Sequence, residues 1–184
     1  MADVTVLVLV GSLRAASINR QLAELAVETA PDGISLQLFD GLGELPFYNE
    51  DIDTADVPSP VVALRTAAAE ADAALVVTPE YNGSIPGVLK NAIDWASRPP
   101  ADGVFDNKPV AIQSASTGWA GGLRAQMHLR QVFGFFPMRQ LYYPEVVVGL
   151  AKQKFDENGK LIDELAIGNI TKQMAAFKAF IEGD

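Results

Sequence analysis

The chain contains no cysteine. That removes disulfides, iron–sulfur ligation and a thiol nucleophile from consideration, and it fits a reducing cytoplasm. There is a single histidine, His128, so a multi-histidine metal site is excluded. No catalytic acid–base pair and no metal ligand set stand out. Basic residues are scarce, 14 against 23 acidic ones, for a formal net charge of −9. A surface of that sign argues against nucleic acid or an anionic membrane as the main partner. An anionic ligand must then be held by local donors, against the global field. No apolar run is long enough to span a bilayer. The opening MADVTVLVLVG has an early Asp3 and no basic leader, so it is expected to be a strand ending in a glycine turn and not a secretory signal.

What is present is a chain of 184 residues, 49% hydrophobic and 20% charged. That is enough to bury one sizeable core, and no repeat, linker or shift in composition divides it, so residues 1–184 are expected to form one domain. VTVLVLV at 4–10, AALVVT at 73–78 and PVAIQSA at 109–115 are short, unalternating and apolar, the pattern of strands buried on both faces. ISLQLF at 34–39 alternates, and a last strand is expected within 139–149, around VVVG. Helices are expected over 19–30, 61–71, 87–97 and 123–133. Pro86 stands at the favourable first turn of the third. Leu161, Leu165, Ile170, Met174, Phe177 and Ile181 mark a closing amphipathic helix. Residues 40–60 have no clear period, and so long a loop is expected to be functional. Five strands alternating with five helices imply a parallel sheet covered on both faces, with strand order 2-1-3-4-5 as the common solution. Ligands then bind at the carboxyl ends of the strands, where the loops 11–18, 79–85 and 116–122 converge.

In the first loop, Gly11 is followed by Ser12, Arg14, Ser17 and Asn19. A loop entering a helix N-terminus offers unpaired N–H groups and the positive end of the helix dipole. The serines, the asparagine and the arginine add donors. This is the composition of a phosphate site, although Ser17 alone would serve as a helix N-cap and Arg14 as a solvated cation. The lysine and second glycine of a P-loop are missing, as is the G-x-G-x-x-G of dinucleotide folds. A receiver domain would place acidic residues after the first strand, where this chain has Gly11 and Ser12. A terminal monophosphate, as a mononucleotide presents, is what remains.

The second loop, PEYNGSIP, is stiffened by Pro79, Gly83 and Pro86. Tyr81 offers a flat face and Asn82 an amide, in a turn that would also serve as an ordinary strand–helix connection. Glu80 has no evident partner and is read from the residues as structural or as a subunit contact. The third loop, STGWAGG, supplies Ser116, Thr117, Gly118 and Gly121. Its glycines suit either a close approach to a ligand or turn geometry alone. Trp119 would stack on a ligand or plug an interface. His128, in a helical segment beside Arg124 and Arg130, is expected at a surface or an interface.

Three motifs lie in register along nearly the whole chain: G-S-x-R-x-x-S-x-N at 11–19, P-E-Y-N-x-S-x-P-G-x-L-K-N-x-x-D-W at 79–95 and G-G-x-R-x-Q-x-x-L-R at 121–130. Together they resemble the NAD(P)H-dependent FMN reductase family, with its quinone, chromate and azo-dye reductase members. The resemblance implies a flavodoxin-like three-layer sandwich with non-covalent FMN. It assigns the FMN phosphate to Ser12, Arg14, Ser17, Asn19 and the backbone at Ile18. The isoalloxazine falls to Pro79, Glu80, Tyr81, Asn82 and Gly83, and the ring and ribityl flank to Ser116, Thr117 and Gly118. It further implies a homodimer or homotetramer with the flavin near the subunit interface. NAD(P)H would be the co-substrate, passing hydride through FMN to a flavin, quinone or similar small-molecule acceptor in ping-pong order. The alternatives from other classes are a flavodoxin-type electron carrier, whose acidity would suit docking on basic partners, and a colourless nucleotide-binding or sugar-transfer enzyme.

Overall fold

The computed structural model describes residues 4–99 and 103–183, so the outermost residues of the expected 1–184 domain and the segment 100–102 lie outside the described part. The strands are β1 Val4–Val10, β2 Ile34–Phe39, β3 Ala73–Thr78, β4 Pro109–Ala115, β5 Arg139–Gln140 and β6 Val146–Val148. The helices are α1 Ile18–Glu28, α2 Ser59–Glu70, α3 Gly87–Ala96, α4 Leu123–Phe135 and α5 Glu164–Glu182. The sheet runs β2-β1-β3-β4-β5, with every pairing parallel and β6 also on β4. This is the expected order, and the lack of alternation in β1, β3 and β4 has the expected cause. Odd and even residues of β1 face two different cores. Val6 and Val8 pack with Leu22 of α1 and with Ile170 and Phe177 of α5. Leu7 and Leu9 pack with Leu64 of α2, Leu89 and Trp95 of α3 and Phe133 of α4.

The last strand expected within 139–149, around VVVG, is β6, and a second short strand, β5, precedes it. Short β5 pairs with Pro109 and Val110 at the start of β4, and β6 pairs with Gln113 to Ala115 at its end. Between them the chain detours through Pro144, which has no N–H to give a ladder. The Pro144 carbonyl instead accepts from Gln173 Nε2 of α5 at 2.7 Å. The closing helix also begins later than its apolar pattern implied. Leu161 precedes α5 and bridges to Phe155, while Asp163 caps the helix by accepting from Ala166 N–H.

Of residues 40–60, expected to be a functional loop, 59–60 open α2 and the stretch before them is pinned over α3. Two 3-10 turns, Gly41–Glu44 and Glu50–Ile52, interrupt the loop. The Pro46 carbonyl accepts from Asn91 Nδ2 at 2.9 Å and from Trp95 Nε1 at 2.8 Å, and Tyr48 N–H donates to Asn91 Oδ1. Farther along, Arg65 holds Asp53 through two parallel hydrogen bonds of 2.8 and 2.9 Å. Among the described residues no helix is long and apolar enough to cross a membrane.

Candidate functional site

The carboxyl ends of β1, β3 and β4 deliver the three loops to one cleft. Gly11 continues β1, its N–H donating to the Val77 carbonyl at 2.9 Å. A Cβ there would lie 3.2 Å from Leu89, 3.3 Å from Pro86 and 3.4 Å from Pro79. Glycine is therefore the residue that lets the first loop lie close against the second.

Ser17 is the N-cap of α1. Its Oγ accepts from Arg20 N–H at 3.2 Å, and its carbonyl takes Gln21 N–H. The first N–H groups of the helix, at Ile18 and Asn19, have no partner inside the helix and point out of its end. The Asn19 side chain is directed inward. Its Nδ2 donates to the Ala115 carbonyl and its Oδ1 accepts from Ala115 N–H, each at 2.9 Å. What Asn19 holds toward a ligand is thus its backbone donor, because the amide read from the sequence as a ligand donor is spent on β4. Arg14 is exposed and, among the described residues, enters no ion pair. Arg20 behaves differently: its hydrogen bonds to Asp40 and then Glu24 raise its pKa above the usual arginine value. Arg14 is the cation left free beside the helix end.

In the second loop, Tyr81 and Ser84 exchange backbone hydrogen bonds of 2.9 and 3.0 Å. The two residues between them, Asn82 and Gly83, have φ of 53° and 76°. That is the Asn-Gly tight turn in which both central residues adopt left-handed geometry. Tyr81 is 45% exposed. The Glu80 carboxylate, 8% exposed, accepts from Arg124 N–H at 3.1 Å and from Arg124 Nε at 2.7 Å. Glu80 therefore has a partner within the chain that the sequence did not reveal, and its charge is neutralised where it borders the cleft.

In the third loop, Ser116 Oγ accepts from Gly118 N–H at 3.2 Å, and Ser116 N–H donates to the Val148 carbonyl at 3.0 Å. Thr117, Gly118 and Trp119 are exposed. Gly121 and Gly122 serve the turn. At Gly121, with φ +61°, a Cβ would lie 2.6 Å from Val147 Cγ1, and at Gly122, with φ +94°, 2.7 Å from Ser114 Cβ. Gly121 is buried, so it packs against β6 and does not line a ligand's rim.

The recess in the cleft, about 130 Å³, is lined by Ser12 and Arg14, by Ser17 to Asn19, by Pro79 to Tyr81 and by Ala115 to Thr117. Of the residues proposed from sequence, Asn82, Gly83 and Gly118 lie outside this lining, on the adjoining turns. Ala115 was not foreseen, because nothing in a strand's apolar pattern marks its last residue as a wall. Pockets that enclose drug-sized ligands measure roughly 300–1,000 Å³, so this recess suits one end of a mononucleotide. The rest would extend over the turns at 81–83 and 116–118. The donor set fits a phosphate at that end: two open helix N–H groups, the free Arg14 and the hydroxyl of Ser12, with the neighbouring carboxylate neutralised.

A doubly wound parallel sheet of this strand order, with a recess where three loops meet at its carboxyl end, has the flavodoxin-like architecture. The sequence model of the family described as NADPH-dependent FMN reductase matches residues 4–153. An NAD(P)H-dependent FMN reductase of Pseudomonas aeruginosa is 44% identical over 179 residues, covering 97% of this chain and 96% of that protein. A quinone reductase of Escherichia coli is 39% identical over 179 residues, covering 96% and 95%. The solved structure of FerB, a flavoenzyme NAD(P)H:(acceptor) oxidoreductase from Paracoccus denitrificans, superposes with a TM-score of 0.87 at 35% identity and covers 97% of each chain. The chain belongs to the NADPH-dependent FMN reductase family. It is an oxidoreductase with FMN as cofactor and NAD(P)H as reductant.

Proposed function

We propose that residues 1–184 act as one FMN-binding domain that passes hydride from NAD(P)H to a flavin, quinone or similar small acceptor, with donor and acceptor using the same open face in turn. The observation that carries this reading is the convergence of three loops on one recess of about 130 Å³. Bound FMN supplies the hydride-transfer chemistry. The protein's part is to hold and orient. Arg14, Ser12 and the N–H groups of Ile18 and Asn19 anchor the phosphate, with Ser17 ordering the helix end. Pro79 to Gly83 present a rigid turn to the ring, with Glu80 held by Arg124. Ser116, Thr117 and Gly118 flank the ribityl side. No proton donor is assigned, because hydride transfer through a flavin does not require an acid–base pair from the chain.

A recess of about 130 Å³ would leave much of a bound flavin exposed, and α4 and the turn before it carry exposed apolar side chains. Trp119, Leu123, Met127 and Phe135 are 82%, 40%, 60% and 91% exposed. On the proposed reading a second copy covers this face in a homodimer or homotetramer, and the protein works in the cytoplasm. Steady-state kinetics test the scheme. NAD(P)H oxidation measured at several fixed quinone concentrations should give parallel double-reciprocal lines. Intersecting lines would rule out the shared face, and no turnover by the isolated protein would favour an electron carrier.

A further inference from the structure

Arg124 and His128 stand one turn apart on α4, and Glu80 and Ser84 stand on either side of the Tyr81–Asn82–Gly83 turn. The two pairs meet. Arg124 holds Glu80 through its backbone N–H at 3.1 Å and its Nε at 2.7 Å, and His128 Nδ1 lies 2.9 Å from Ser84 Oγ. We propose that Arg124 and His128 are positioning residues for the flavin ring, clamping both stems of the turn and setting the angle at which it meets the isoalloxazine. This rests on the FMN reading above.

The turn needs such support. It is closed by two backbone hydrogen bonds between Tyr81 and Ser84, and a two-stranded hairpin alone is marginal in water. Its second stem runs into Pro86, which has no N–H with which to tie itself down. The anchors have different characters. Glu80 caps the N-terminus of α4, where the helix dipole favours a carboxylate. Its 8% exposure makes this the fixed point. The His128–Ser84 contact is exposed and joins a ring nitrogen to a hydroxyl, which donates or accepts to suit either tautomer. It fixes rotation about the first anchor.

The test compares His128→Leu, His128→Asn and Ser84→Ala with the parent, by FMN titration and by the visible spectrum and midpoint potential of the bound flavin. His128→Leu and Ser84→Ala should each weaken FMN by about two- to tenfold and shift the flavin spectrum or potential, with melting temperatures near the parent's. His128→Asn puts an amide near the Nδ1 position and should restore both. The double variant His128→Leu with Ser84→Ala should be no worse than either single, since both remove the same contact. Parent-like affinity and spectra in His128→Leu and Ser84→Ala, no rescue by His128→Asn, or additive losses in the double would overturn the clamp. If the parent itself binds no FMN, the cofactor reading fails first and the clamp with it.

Discussion

Asn19 on α1 holds Ala115 at the end of β4 by both edges of its amide, donating to the carbonyl and accepting from the N–H at 2.9 Å each. The pair is buried and joins the first loop to the third, 96 positions apart. Replacing Asn19 with leucine removes both bonds and leaves two buried backbone groups unpaired, at about 1–3 kcal/mol for each. Asn19→Leu should therefore lower the urea midpoint and also weaken FMN, because the wall of the recess loosens. An unchanged midpoint would show that Ala115 finds other partners.

Arg14 gives the contrasting case. It touches no carboxylate among the described residues, so Arg14→Ala should leave stability where it is. A hydrogen bond to a charged group contributes roughly 1.5–3 kcal/mol, so FMN should bind about ten- to a hundredfold more weakly. An unaltered dissociation constant would remove Arg14 from the phosphate site.

These two residues also mark how far the sequence could be read. Arg14 and Asn19 look alike there, as polar residues in a loop after a buried strand. Only the packed structure separates the free cation from the internal strap, because a partner 96 positions away leaves no local signature. The same holds for Glu80 and Arg124, 44 positions apart. The parallel sheet was legible because β1, β3 and β4 are buried on both faces and have no polar alternation, and its strand order followed as the common solution for five such strands. The broken edge was not, because β5 and β6 are two and three residues long and owe their pairing to β4.

Gly122 tests the turn into α4. Its φ of +94° and the Ser114 Cβ 2.7 Å from where a Cβ would stand make Gly122→Ala both strained and overpacked, at about 1–3 kcal/mol for each effect. Thermal unfolding should show a clear loss. A melting temperature equal to the parent's would mean that the turn rearranges freely.

The exposed face of α4 tests self-association. Met127 is 60% exposed, so a charge there costs the isolated chain little, whereas burying it between two copies would be costly. Met127→Glu should sediment as a smaller species than the parent while keeping the parent's circular dichroism. Equal sedimentation of the two would place the interface elsewhere.

On the proposed function, one recess built from the ends of β1, β3 and β4 holds FMN by its phosphate. Titrating the flavin-free protein with FMN and with riboflavin, followed by flavin fluorescence, tests it most directly. Saturable binding of one FMN per chain is expected, with much weaker binding of riboflavin, which lacks the phosphate. Equal affinity for the two, or no binding of FMN, would contradict it.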